Sequence, residues 1–401
     1  MFIENDMDIN RGDVSIMNEV RFGIVGIGGI GTLHSNYLLG GEVTNARLTA
    51  VCDIDEQKLI KFKEKHGDEI ARYVDYKDLL ASGKVDAVII ATPHYMHPVI
   101  AIDAFHAGLN VLVEKPAGVY AKKVLEMNEA AKESGKVFSI MYCMRTDPYY
   151  IKIRDMLQTG ELGTLKRINW IATDWYRPQS YHNSCAWRSS WAGEGGGVII
   201  NQCPHNLDLW QWMFGMPESL CAFADFGKYY DIEVEDDVTV YMRYPNGVTG
   251  VFIASTGEAP GTNRLEITGT LGKLTYEKGK LIYMRNREDE RSFNQHFTSS
   301  IAAEPEKWVS EVEVTGTPMQ HKKITQNFVN AILHGEELIA PGENGINEMN
   351  LSNGIHYSAW TDQKVTLPVD NAAYLELLRD KINRSSRTAK VREGSGQTEC
   401  I

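Results

Sequence analysis

From residue 20 onward, short apolar runs alternate with longer stretches of mixed polarity. The run over 22–27, β-branched and punctuated by glycine, predicts a buried strand that feeds a helix over 32–39. Apolar runs at 48–52, 85–91, 110–113 and 137–142 predict further strands, and the stretches 55–66, 97–107 and 122–134 between them predict helices. Strands that are apolar at nearly every position and alternate with helices are covered on both faces. The first part of the chain is therefore expected to be a doubly wound parallel sheet.

The period changes after Asp147-Pro148. A helix over 150–159 precedes long strand candidates at 165–173, 238–244, 248–255, 264–268 and 273–277. Pro245-Asn246-Gly247 predicts a hairpin between two of them, because Asn and Gly accept positive φ. Helices over 322–334 and 372–382 flank a short strand at 367–369. The fold class expected is α/β: a doubly wound parallel sheet, then an α/β domain with an open, mostly antiparallel sheet. The boundaries read as a flexible acidic leader (1–19), a first domain (20–145), a second domain (146–384) whose last helices pack back on the first, and a disordered tail (385–401).

A chain of 401 residues is comfortable as two domains. Its net charge of −12 disfavours nucleic acid and anionic membranes as partners. The first residues lack the basic and apolar regions of a secretory signal, and no run reaches the roughly 18–20 apolar residues of a membrane span. A cytoplasmic location is expected. The six cysteines show no zinc or redox spacing and read as reduced thiols, with no metal site.

Gly26-Ile27-Gly28-Gly29-Ile30-Gly31 places G-x-G-x-x-G between the first strand and the first helix. One glycine allows the turn, another lets backbone amides approach a pyrophosphate, and the third lets helix and strand pack. Asp53 ends the second strand 22 positions beyond Gly31, near the spacing of the acid that accepts the ribose hydroxyls of NAD. Read as an unpaired acid followed by Ile54, it would repel a 2′-phosphate, so NAD is expected over NADP.

Four matches make the chain resemble the family of glucose-fructose oxidoreductase, inositol dehydrogenase and rhizopine catabolism proteins (Gfo/Idh/MocA). They are the glycine turn, Ala91-Thr92-Pro93 with His97, Glu114-Lys115-Pro116, and Gly195-Gly196-Gly197 followed by His205 and Asp208. The resemblance implies a Rossmann domain over 20–145 and a substrate-binding, oligomerising domain over 146–384. Gly26, Gly28, Gly29, Ile30, Gly31, Asp53, Thr92, Pro93, His94, His97, Glu114 and Lys115 would hold the cofactor. It further implies a cis Lys115–Pro116 bond, Lys115 at the substrate hydroxyl, and His205 as general acid/base.

His205 falls on a predicted helix over 202–214 with Asn201 as N-cap, where Asn201, His205, Asp208 and Trp212 share a face. Close relatives of the inositol dehydrogenase type carry Asp where this chain has Asn201. Either His205 works without a charged partner or Lys115 does more of the proton transfer. Arg145, Trp175, Tyr176, Asn201 and Asp208 are the expected substrate contacts, within an aromatic-rich stretch from Trp170 to Trp191 that suits sugar ring faces.

The resemblance implies a homo-oligomeric NAD-dependent oxidoreductase that moves hydride between nicotinamide and a hydroxyl of a sugar, glycoside or inositol. Two alternatives stay open. One is C3 oxidation of a sugar by tightly bound NAD in glycoside conversion or cleavage, and the other is a non-catalytic NAD-binding sensor.

Overall fold

The computed structural model describes residues 18–385. The expected leader and tail therefore lie almost wholly outside the described residues. In chain order the first unit runs β1 (Val20–Val25), α1 (Gly29–Leu39), β2 (Ala46–Cys52), α2 (Glu56–His66), β3 (Ala71–Tyr73), α3 (Tyr76–Leu80), β4 (Ala87–Ile90), α4 (Met96–His106), β5 (Asn110–Val113), α5 (Ala121–Ser134) and β6 (Phe138–Ile140). All six strands pair in parallel, in the order β3-β2-β1-β4-β5-β6. The order reverses between β1 and β4, and at such a switch point the strand ends open a crevice for ligand. The two loops that flank it are the glycine turn and the segment from Ala91 to His94.

The second unit holds α6 (Pro148–Gln158), β7 (Leu165–Ala172), α7 (Gln179–His182), α8 (Pro204–Phe214), β8 (Ser219–Phe226), β9 (Glu235–Arg243), β10 (Thr249–Ser255), β11 (Asn263–Gly269), β12 (Gly272–Glu277), β13 (Lys280–Asn286), α9 (Glu290–His296) and β14 (Lys307–Glu311). It closes with α10 (Gln320–His334), α11 (Gly345–Thr361), β15 (Val365–Thr366) and α12 (Asn371–Arg384). Nine strands form one sheet, β14-β13-β12-β11-β7-β10-β9-β8-β15, in which only β7 and β10 run parallel. Along β9, Val238, Val240 and Met242 are buried while Thr239, Tyr241 and Arg243 face out, the alternation of a sheet with one covered face. The β9–β10 hairpin turns where expected, with Gly247 at φ +83°.

Two hydrophobic cores result. Ile324, Phe328 and Val329 of α10 belong to the core of the first unit, where Phe328 lies 6.2 Å from Phe22 of β1. Helix α11 sits between the units: Met349 joins the first core, and Leu351 and Ile355 join the second. Asn353 of the same helix accepts the Ala121 amide at 2.8 Å and donates to the Val119 carbonyl at 3.0 Å, so the seam is hydrogen-bonded as well as packed. Cys52, Cys143, Cys203 and Cys221 are free thiols, but Cys185 is disulfide-bonded, which corrects the expectation of reduced thiols throughout. Sequence spacing carries no signal for such a bond when the cysteines are scattered.

Candidate active site

The dinucleotide cradle begins where β1 ends. Gly26 sits at φ +92°, and a Cβ there would stand 2.7 Å from the Ala91 carbonyl. At Gly31 a Cβ would stand 1.9 Å from the Gly26 carbonyl, so only glycine lets α1 pack this closely on the turn. A Cβ on Gly28, by contrast, meets nothing within 4 Å, which is the open side of the turn. Helix α1 starts three residues earlier than predicted, at Gly29, and Gly28 offers no side-chain cap. The amides of Gly29, Ile30 and Gly31 thus carry the uncompensated positive end of the helix toward that open side.

Asp53 is not the unpaired acid expected. Its Oδ2 accepts the Ile27 amide at 3.0 Å and lies 3.5 Å from Lys58 Nζ, and its Oδ1 accepts the Asp55 amide at 3.0 Å. The reason is local: α2 winds Lys58 back over the end of β2. Across the switch point, Thr92 Oγ1 is buried without a partner, an unsatisfied group at the edge of the crevice. An uncapped helix start, an open glycine and an orphaned hydroxyl, ringed by Asp53, fit a bound dinucleotide.

His94, His97 and Glu114 brace this crevice from behind. His97 is buried with its ring nitrogens 2.7 Å from the Thr92 and Pro116 carbonyls, so it ties the two loops together. Pro93 lies between Thr92 and His94, and His94 Nδ1 donates to the Glu194 carbonyl at 3.1 Å. Glu114 accepts from His34 Nε2 at 2.7 Å and from the Lys115 amide at 3.2 Å. Burial alone would raise its pKa, but the hydrogen bond and charge of His34, with His321 and Lys115, carry it down to about 2.

Lys115 follows β5, and its bond to Pro116 is cis. Its Nζ donates to the Asn201 carbonyl at 2.8 Å, which links the first unit to the segment leading into α8. Burial lowers the lysine pKa, although the charges of Glu114 and Glu194 oppose that. His205 Nε2 lies 3.9 Å from Cys143 Sγ, and its Nδ1 is buried without a partner. Burial, reinforced by the Lys115 charge, drives the imidazole pKa down to about 3, so His205 is neutral across the physiological range.

Asn201 does not cap α8. A π-helical turn (Val198–Gln202) intervenes, and the helix starts at Pro204 with Cys203 before it. Proline fits the first helical turn, where its missing N–H costs nothing. Asn201 instead donates through Nδ2 to Glu194 and, at 3.2 Å, to Tyr181. Arg145 and Asp208 meet each other rather than an open pocket. The guanidinium binds the carboxylate through two contacts of 2.6 and 2.8 Å, and both side chains are 1% exposed. Arg145 Nη1 donates to the Ile339 carbonyl at 3.2 Å and to Asn344 Oδ1 at 3.1 Å, so four of the five guanidinium donors are engaged by the scaffold.

The aromatic stretch divides. Trp170 stacks on Trp210 in the second core, and Trp191 packs on His356 and Trp360. Trp175 keeps a buried indole N–H without a partner, Tyr176 is half-exposed, and Tyr181 and Trp187 sandwich Arg188. Sequence reasoning missed Glu194, whose one signal is an acid set directly before a glycine triplet. It also missed His34, which nothing in the sequence marks. Among the described residues no cluster of His, Cys, Asp or Glu could hold a metal, and no helix is long and apolar enough to cross a membrane.

Comparison with known proteins agrees with this geometry. Residues 20–142 match the model of the oxidoreductase family with an NAD-binding Rossmann fold, and residues 150–275 match the GFO/IDH/MocA C-terminal domain. The chain is 30% identical over 255 residues to the trans-1,2-dihydrobenzene-1,2-diol dehydrogenase of Bos taurus, covering 63% of this chain and 72% of that one. It is 26% identical over 261 residues to the myo-inositol 2-dehydrogenase of Thermotoga maritima, covering 64% and 74%. Among solved structures, the WlbA dehydrogenase of Chromobacterium violaceum, in complex with NADH and UDP-GlcNAcA, superposes with a TM-score of 0.75 at 25% identity over 88% of this chain and 97% of that one. The glycine turn, the Glu-Lys-Pro strand end and the two-sheet architecture thus lead to one conclusion: the chain belongs to the GFO/IDH/MocA oxidoreductase family, and its N-terminal unit is an NAD-binding Rossmann domain.

Proposed function

We propose that the protein is an NAD-dependent dehydrogenase that interconverts a ring CH–OH and a ketone on a sugar, glycoside or cyclitol. One observation carries this reading: Lys115, from the first unit, reaches the Asn201 carbonyl four residues before His205, from the second, at the mouth of the dinucleotide crevice. The related inositol and diol dehydrogenases, and the WlbA complex with UDP-GlcNAcA, support a hydroxyl-bearing substrate.

The dinucleotide would be held by the amides of the glycine turn, Asp53 and Thr92, and when bound it supplies the hydride acceptor or donor. The chain's own residues handle the proton. In the oxidative direction the hydroxyl O–H breaks as its proton passes to the uncharged Lys115 amine, and the carbonyl bond forms as the carbinol hydrogen leaves with its electron pair. Burial lowers the lysine pKa and so favours that uncharged form. His205, held neutral and with a free Nδ1, orients the same hydroxyl by hydrogen bonding and is a weaker base than Lys115. Trp175 and Tyr176 line the substrate side, whereas Arg145 and Asp208 support its floor. The uncovered face of the nine-stranded sheet, which exposes Phe223 and Tyr241, supports a homo-oligomer.

The test is a panel of cyclitols, aldoses and glycosides incubated with NAD, with NADH absorbance as readout. Turnover of at least one member, lost in Lys115→Ala while that variant still binds NADH, is the expected result. Equal turnover by Lys115→Ala and the parent would refute the assignment.

A further inference from the structure

Asn201 lies four residues before His205, and the fold brings a carboxylate to its side-chain amide. Glu194, on the loop before Gly195, is buried, with Oε1 on Asn201 Nδ2 and Oε2 accepting the Ser189 amide at 2.6 Å. Arg188 Nη1 lies 3.5 Å from the same Oε1 and donates to Tyr181 Oη at 2.6 Å. Three donors therefore converge on one carboxylate. In its ionised form the carboxylate only accepts, and the Asn201 amide then turns its Nδ2 inward. Asn201 is part-buried, and among the described residues no group donates to its Oδ1, which is left as a spare acceptor on the residue whose backbone carbonyl holds Lys115.

We propose that Glu194 is a positioning residue for the substrate: it fixes the Asn201 amide so that Oδ1 accepts from a hydroxyl beside the reacting one, whose own proton goes to Lys115, and it steadies the segment whose carbonyl holds Lys115. This rests on the Lys115 assignment above. The pair also explains the amide at 201. An aspartate there would face Glu194 directly, and two carboxylates in contact cannot both stay ionised. The charged and titratable groups around Glu194 are Arg188, Lys115, Glu235, His94, Tyr181 and His182. Burial raises its pKa to about 7, against the lowering effects of Arg188 and its hydrogen bonds.

The experiment compares Glu194→Gln, Asn201→Asp and the exchange Glu194→Gln/Asn201→Asp. Glutamine offers one acceptor where three donors meet, so Glu194→Gln should lower kcat by about 10- to 100-fold, with NADH Kd unchanged. Asn201→Asp should lower kcat similarly. It should also lower Tm by roughly 2–4 °C more at pH 8 than at pH 5.5, relative to the parent, as the second carboxylate is forced to ionise. In the exchange, the introduced glutamine can donate to the introduced aspartate and accept from Ser189, so kcat and the pH dependence of Tm should both recover. The proposal is overturned if Glu194→Gln keeps the parental kcat, or if the exchange recovers no more than the worse single variant. The Tm comparison needs no substrate. A parent idle on every panel sugar would therefore count against the assigned reaction, while the Tm recovery would still decide the pair.

Discussion

Replacing Arg145 by methionine separates a structural role from a substrate contact. The guanidinium and the Asp208 carboxylate are each 1% exposed and joined by two contacts of 2.6 and 2.8 Å. Solvent screening of this pair is therefore negligible. Removing one member strands the other as a buried charge, which costs about 3–5 kcal/mol, or a Tm loss of roughly 6–20 °C for a domain of this size. Burial already raises the Asp208 pKa against the pull of Arg145, and without the arginine it rises further. The folded variant then binds a proton more tightly than the unfolded chain does, so its stability falls as pH rises through that value. Arg145→Met should accordingly melt lower at pH 8 than at pH 5. Arg145→Met/Asp208→Leu, which leaves no orphan charge, should recover more than half of the loss. The assays are thermal melts at the two pH values and steady-state kinetics on the best panel substrate. A variant with parental Tm and a raised KM would refute the reasoning, because it would mean that the guanidinium faces substrate.

Three other outcomes follow from the geometry. Gly31→Ala pushes α1 off the turn, a distortion of about 1–3 kcal/mol that should weaken NADH binding by roughly 5- to 150-fold in a fluorescence titration, and an unchanged Kd would show that the phosphates sit elsewhere. With the Glu114 pKa at about 2 against an ordinary 4.5, about 3 kcal/mol of stability is present above pH 4.5 and is lost as pH falls through 2; an acid titration of stability should show this slope in the parent and lack it in Glu114→Gln. Because the Lys115 amine must be uncharged to take the hydroxyl proton, kcat/KM for oxidation should rise with pH through a value below that of a free lysine, and a pH-independent profile would move the proton transfer to another group.

The parts of this protein that can be read from the sequence are those written in local chemistry. The glycine turn and the Pro-Asn-Gly hairpin follow from steric needs within a few residues, the strand ends at Asp53 and Lys115 follow from where the apolar runs stop, and each lies where expected. Helix α11 is invisible for the opposite reason. Glu348, Ser352, Asn353, His356 and Ser358 are polar yet buried, because the helix is covered from both sides, and no apolar stripe of period 3.6 survives. Asn201 reads as a cap in the sequence, but the π-helical turn shifts the start of α8 to Pro204. The pairing of Arg145 with Asp208, 63 residues apart, turns two expected substrate contacts into scaffold. Lys58 reaches Asp53 by the same kind of fold-back, invisible until α2 has its direction. Glu194, on the loop before the glycine triplet, and Asn201, in the π-helical turn after it, acquire meaning only once Tyr181 and Arg188 arrive.

The docking of α10 on the first core bears on protein engineering. Anyone wishing to graft a different nucleotide-binding module onto this substrate domain would cut near Asp147, where the motif ends. Such a chimera would strand Ile324, Phe328 and Val329, which complete the wall around Phe22 from the far end of the polypeptide. The transplantable piece is discontinuous: its last wall is synthesised only after the whole nine-stranded sheet but for its final short strand, and must travel with the strands it covers.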